Sequence, residues 1–223
     1  VNSGEYKLMG LAPYGEPSYV KQIYQLLKVH ADGSFVLDLT YFDFEVGNRM
    51  TSAKFHQLFG GPPRDAKAPM QQKHMDLARS IQQDIEELVL KIAEHAHKIT
   101  QCEAVCLAGG VALNCVANGR LLREGPFKQV WIQPAAGDAG GALGAALYAS
   151  HGVGKAPRVS TVAGDGMAGA YLGPEYSQDD IEQRLTAAGA KFSVLDEKDV
   201  TEKTARALGE GKAVGWMQGR MEF

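Results

Sequence analysis

Two consecutive stretches of this chain read as strand, glycine-bearing turn and helix, and that repetition constrains the fold more than any other feature. Ala104-Val105-Cys106-Leu107-Ala108 is a short apolar run of the kind found in a sheet covered on both faces, and Gly109-Gly110 follows it before a helix from about Val111 to Arg123. The strand then recurs as Gln129-Val130-Trp131-Ile132, the turn as Pro134-Ala135-Ala136-Gly137-Asp138, and the helix over 139–150. Two β–α units in succession imply an α/β sheet whose working edge lies where the strands give way to helices.

Upstream, Ala78, Ile81, Ile85, Leu88, Val89, Ile92, Ala96 and Ile99 recur at spacings of three and four, which predicts a helix over 71–100 with one buried face. His95 and His97 stand two apart on it, on roughly opposite sides, and so lack the i, i+4 geometry of paired metal ligands. Residues 6–16 begin as a short apolar element and end in a Pro13/Gly15 turn. A short amphipathic helix is expected over 18–30 and a strand over 33–39. Residues 41–70, centred on Gly60-Gly61-Pro62-Pro63, read as an irregular insertion, either facing a substrate or disordered.

Past the second β–α unit the composition shifts to Gly, Pro, Ser and Thr. We therefore expect one lobe over 1–155, a linker over 156–168 and the start of a second lobe over 169–223. In that second lobe, helices at 177–188 and 200–210 and strands at 191–195 and 213–217 predict a further α/β unit. The chain opens on Val1 and closes at Met221-Glu222-Phe223, directly after the last predicted strand, so the expectation is a piece cut on both sides.

Charge narrows the function classes. With 23 Lys and Arg against 26 Asp and Glu, a net charge of −3 supplies no cationic field for nucleic acid. No segment approaches the roughly 20 apolar residues of a membrane-spanning helix, and residues 1–5 lack the features of a secretory signal. The expectation is a cytoplasmic protein that binds neither nucleic acid nor membrane. Cys102, Cys106 and Cys115 are odd in number and form no CxxC pair, so they read as buried or half-buried thiols rather than a disulfide framework or zinc knuckle.

The candidate chemistry sits at the two turns. Gly109-Gly110 leaves no Cβ in the way of a phosphate or ribose, and the N–H groups of the following helix face the same space. The same pair could equally be a plain tight turn. Val111 opens that helix, and Asn114, one turn in, could hydrogen-bond a ribose hydroxyl or purine edge, or cap a local backbone group. Asp138, between Gly137 and the pair Gly140-Gly141, is placed either to cap the next helix or to bind a cation. Gly137, Gly140, Gly141 and Gly144 do not have the spacing of a dinucleotide fingerprint. Gly152-Val153-Gly154-Lys155-Ala156 is no P-loop, because the glycine and lysine are too close and no Ser or Thr follows.

Four strings make the pattern specific: Lys7-Leu-Met-Gly-Leu-Ala-Pro-Tyr-Gly15, Leu107-Ala-Gly-Gly-Val-Ala-Leu-Asn-Cys115, the glycine-rich run from Pro134 to Ala146, and Gly215-Trp-Met-Gln-Gly-Arg-Met-Glu-Phe223. In this order they resemble the O-carbamoyltransferases of antibiotic and nodulation-factor biosynthesis. The resemblance implies an N-terminal lobe of the actin/Hsp70/sugar-kinase type, followed by a second α/β lobe that makes a carbamoyl-adenylate from ATP and carbamoyl phosphate. It implies transfer of the carbamoyl group to a hydroxyl of a small natural product or sugar, with a divalent metal, Fe2+ or Mg2+, holding the developing oxyanion.

On the same resemblance Asp138 is the metal ligand, Gly109, Gly110, Val111 and Asn114 form the nucleotide turn, and Gly137, Gly140 and Gly141 form the adjacent loop. Lys7 falls in the family's segment near the nucleotide, where its charge could meet a phosphate or stay solvated at the surface. Arg220 could approach carbamoyl phosphate or be a surface charge. The family's paired metal-binding histidines lie upstream of the Lys7 string, where this sequence has only six residues; His56, His74, His95 and His97 do not replace them. Two other readings stay open: a sugar-kinase-like phosphotransferase using Asp138 for Mg2+, and a non-catalytic nucleotide-binding module. Unpaired strand edges would make a homodimer possible.

Overall fold

One 29-residue helix organises everything before residue 156. It is α4, Gln72–Thr100; ahead of it come α1 (Glu5–Leu11), a 3-10 turn (Ala12–Tyr14), α2 (Val20–Ile23), β1 (Leu27–Val29), β2 (Phe35–Leu37) and α3 (Ala53–Leu58). After it come β3 (Ala104–Leu107), a 3-10 turn (Gly110–Leu113), α5 (Cys115–Glu124), β4 (Gln129–Ile132) and α6 (Asp138–Leu147). The computed structural model describes residues 4–158 and 167–222. It divides into two units, 1–155 and 156–223, the second holding a 3-10 turn (Ala168–Ala170), α7 (Gln178–Ala187) and α8 (Glu197–Gly209). The class is mixed α/β.

The ends of α4 are set by local chemistry. The Gln71 side chain accepts from the His74 backbone while the Gln71 N–H donates to His74 Nδ1 at 2.9 Å, a reciprocal cap that gives His74 its role. At the other end Gln101 takes a left-handed conformation, φ 54°, and its N–H returns to the His97 carbonyl.

Packing on one side of α4 gathers Ile23, Leu26, Tyr41 and Phe59, with Phe55, Leu77 and Ile81 against them. Here the N-terminal arm is held by polar side chains at helical spacing. Gln72 donates to the Tyr14 carbonyl, Asp76 accepts from the Glu16 N–H, and the buried Ser80 hydroxyl accepts from the Tyr19 N–H. Gly15 crosses α4 so closely that a Cβ there would run into the Met75 carbonyl. On the other side, Ala93, Leu121 and Phe127 join Val89, Val105, Leu107 and Val130, so α4 and α5 cover one face of the β3–β4 sheet.

Several expectations are corrected. The helix predicted over 18–30 stops at Ile23, because Leu27–Val29 pairs antiparallel with Phe35–Leu37 in a hairpin and strand pairing overrides a weak helical period. Residues 41–70 are not structureless. Ser52 caps α3, whose Phe55 stacks on Phe59 at 4.5 Å between centroids and seals the first core.

β3 and β4 are not covered on both faces: Val105, Leu107, Val130 and Ile132 point inward, while Ala104, Cys106, Gln129 and Trp131 are exposed. α4 and α5 pack on the inward side. The three cysteines are likewise exposed rather than buried, Cys106 on that open face and Cys115 at the first position of α5. In the second unit, 191–195 and 213–217 are not strands, since among the described residues no segment lies alongside either to complete a ladder. The regular elements described in that unit are the 3-10 turn, α7 and α8.

Candidate nucleotide site

β3 and β4 run parallel with Leu107 opposite Ile132, so both strands end at the same edge and both glycine turns leave from it. A hydrogen bond joins the turns: the Gly109 N–H donates to the Ala136 carbonyl at 2.8 Å. Gly109 holds φ 97°, a backbone region that a side chain rarely adopts, which is why glycine begins this turn.

A Cβ built at Gly109, Gly110, Gly137 or Gly141 would meet nothing within 4 Å, so these backbones border open space. Gly140 differs. Its Cβ would strike the Ala135 carbonyl, and glycine is required there by the chain's own turn. Val111, at 59% exposure, faces solvent beside the first turn.

Asn114 ends the 3-10 turn and caps α5, its Oδ1 accepting from the Ala117 N–H at 3.0 Å. It also pairs amide to amide with Gln82 of α4: Gln82 Nε2 donates to Asn114 Oδ1 at 3.1 Å, and Asn114 Nδ2 donates to Gln82 Oε1 at 2.9 Å. Gln82 Nε2 donates as well to Glu86 Oε1 at 3.1 Å, and Arg120 of α5 reaches Glu86 Oε2 at 3.4 Å. Glu124, and behind it Glu86, hold the Arg120 guanidinium above its ordinary range. Gln82 and Glu86 are buried, so a polar chain runs inside the α4–α5 interface to the foot of the turn. Gln82 and Glu86 do not stand out in the sequence as site residues. Their trace was two polar residues four apart inside an apolar helical stripe.

Asp138 is the first residue of α6 and is exposed at the same edge, where a carboxylate complements the helix N-terminus. As a metal centre the residues present do not suffice. Among the described residues no group of three His, Cys, Asp or Glu could hold an ion, and one carboxylate is not a site. Lys7 is exposed on α1, whose Met9 lies 4.0 Å, sulfur to sulfur, from Cys115 at the start of α5. Two residues from Met9, Lys7 falls on the other side of that helix. Arg220 belongs to the second unit and bonds locally, donating to the Gly173 carbonyl at 2.9 Å and to Glu175 at 2.8 Å.

Residues 1–147 match the family described as the carbamoyltransferase N-terminus. The chain belongs to the carbamoyltransferase family. All the turn residues and Asp138 fall inside the matched stretch, and Arg220 falls outside it. An uncharacterised protein, sll1178, of Synechocystis sp. is 52% identical over all of the chain and 37% of its own length. The nodulation protein NolNO of Sinorhizobium fredii is 38% identical over 98% of the chain and 30% of its own. The 3'-hydroxymethylcephem-O-carbamoyltransferase of Streptomyces clavuligerus is 31% identical over 52% of the chain and 20% of its own. The chain thus spans about a third of the curated relatives it matches along its whole length. Among the described residues no helix is long and apolar enough to cross a membrane.

Proposed function

We propose that this chain forms the nucleotide-binding part of an ATP-dependent O-carbamoyltransferase. The observation that carries the reading is the Gly109–Ala136 hydrogen bond, which holds two glycine turns side by side at the C-terminal edge of a parallel pair, with unobstructed backbone at Gly109, Gly110, Gly137 and Gly141. Such an edge suits phosphate and ribose, and the N-termini of the following helices favour negative charge. Family membership supports carbamoyl transfer in general. Hydrolysis of carbamoyl phosphate would release phosphate and carbamate, and attack of the carbamate oxygen on the α-phosphorus of ATP would give carbamoyl-adenylate and pyrophosphate. An acceptor hydroxyl oxygen would then attack the carbamoyl carbon, losing its proton as the bond to AMP breaks. Adenylation turns a poor electrophile into one with a good leaving group.

In this reading the lobe is of the actin and sugar-kinase type and works in the cytoplasm, and the acceptor is a small hydroxylated natural product or sugar. Asp138 as a ligand of Fe2+ or Mg2+ requires further ligands besides those described here. Arg220 as a carbamoyl phosphate contact requires it to leave Gly173 and Glu175.

The test uses the full-length polypeptide carrying this chain, incubated with ATP and carbamoyl phosphate while pyrophosphate and the adenylate mass are followed. The expected result is adenylate that forms only with both substrates, and an Asp138→Ala variant that makes it yet fails to pass the carbamoyl group on. Turnover of ATP without carbamoyl phosphate would overturn the reading in favour of a phosphotransferase.

A further inference from the structure

We infer that Gln82, at mid-length on α4, is the positioning residue of the first glycine turn, fixing the amide of Asn114 so that it offers any ligand a donor and never an acceptor. The hydrogen bonds determine the orientation without ambiguity. The Ala117 N–H needs an oxygen, so Asn114 must present Oδ1 to it. That places Asn114 Nδ2 toward Gln82 Oε1, and hence Gln82 Nε2 toward both Asn114 Oδ1 and the Glu86 carboxylate. Flipping either amide would set N–H against N–H, and flipping Gln82 would also turn an amide oxygen onto Glu86.

Asn114 Oδ1 therefore has both acceptor positions taken, by Ala117 and Gln82. Its Nδ2 has spent one N–H on Gln82 and keeps one. A purine or ribose group that could only donate finds no acceptor at Asn114, whereas a ring nitrogen or a ribose or phosphate oxygen finds a donor.

Gln82 can hold this arrangement because it is itself held. It is 3% exposed, and Glu86, at 7%, is anchored by Arg120, with Arg79 at 3.6 Å. The network reaches the site through Asn114, which is both the end of the 3-10 turn and the cap of α5. A buried side chain that divides its hydrogen bonds between the foot of an open turn and an anchored carboxylate acts on the ligand by preorganisation rather than contact.

The inference rests on the nucleotide reading of the turn, and its test separates the two. Calorimetric titration of ATP into the protein is compared for the parent sequence, Gln82→Met, Asn114→Ala and the double variant, alongside backbone hydrogen exchange at Ala117. Methionine keeps the length of glutamine and removes its hydrogen bonds. Expected are a Kd for ATP about tenfold higher in Gln82→Met, no further loss when Gln82→Met is added to Asn114→Ala, and exchange at Ala117 about tenfold faster in Gln82→Met. If Gln82→Met costs as much in the Asn114→Ala background as in the parent, Gln82 acts by another route and the inference fails. Should the parent sequence not bind ATP at millimolar concentration, the nucleotide reading fails, and the exchange rate alone decides the positioning role: unchanged protection at Ala117 overturns it.

Discussion

Asp84 is where burial and charge are most at odds. It is 2% exposed on α4, and neither carboxylate oxygen has a hydrogen-bond partner. Burial first, and the neighbouring Glu87 second, push its carboxyl up to about 7 from an ordinary 3.8. The groups around it cannot help. Tyr24 gives its hydroxyl to Glu87, and Tyr24 is itself raised by burial, then Glu87, then Asp84. Because the folded value lies above the unfolded one, the folded chain holds a proton that the unfolded chain releases between them. The contribution is complete below about pH 4 and is lost as pH rises to about 7. Asp84→Asn should remove that slope and raise stability at pH 8 by about 2 kcal/mol, the ionisation cost of roughly 4 less that of an unpartnered amide. Urea unfolding of both proteins across pH 5 to 8 measures it; a parallel pair of pH curves would contradict it. The glycine turns, whose neighbours are local, were legible in the sequence, and Gly15 was legible as a turn residue, but neither the burial of Asp84 nor the close approach of Gly15 to α4 was. Their surroundings are assembled from segments about sixty residues apart.

At the scale of elements, α4 was readable because thirty residues of regular spacing average out any single exception. Its ends were placed to within a residue. The hairpin β1–β2 was half readable: Phe35–Leu37 alternates, but Leu27–Val29 shares its residues with a plausible helix and is decided only by its partner. Within the candidate site, the glycines of both turns were legible and the capping role of Asn114 was one of two local options. Gln82 was not, since a buried glutamine looks on paper like any polar residue on a helix. That embedding predicts a graded cost of losing helix caps. Ser177 caps α7 in an exposed position, and Ser177→Ala should cost about 0.5 to 1 kcal/mol. Asn114→Ala removes the cap of α5 and also strands the buried Gln82 amide, so about 2 to 3 kcal/mol is expected. Chemical denaturation of the two variants distinguishes them, and equal losses would mean that the Gln82–Asn114 pair contributes no stability.

For the molecule as a whole, the decisive quantity is apolar surface left uncovered. The β3–β4 sheet has two strands with α4 and α5 on one face, which leaves Trp131, 55% exposed, and Cys106 on the other. α6 is almost wholly alanine, glycine and leucine, yet Leu143 and Leu147 remain open to solvent and Tyr148 follows at 71% exposure. A helix apolar all round is ordinarily a buried one, and the outer edges of β3 and β4 have unpaired backbone groups among the described residues. A net charge of −3 over 223 residues offers little repulsion to keep copies apart. The protein should therefore self-associate at micromolar concentration, with a weight-average mass in sedimentation velocity that rises with loading concentration. Replacing Trp131 and Leu147 together by lysine should shift that dependence toward monomer, because both lie on uncovered surface where charge costs the fold little. A concentration-independent monomer in the parent sequence would mean that these faces are quiet in solution despite their composition. Association that persists unchanged in the double variant would locate the contact elsewhere on the chain.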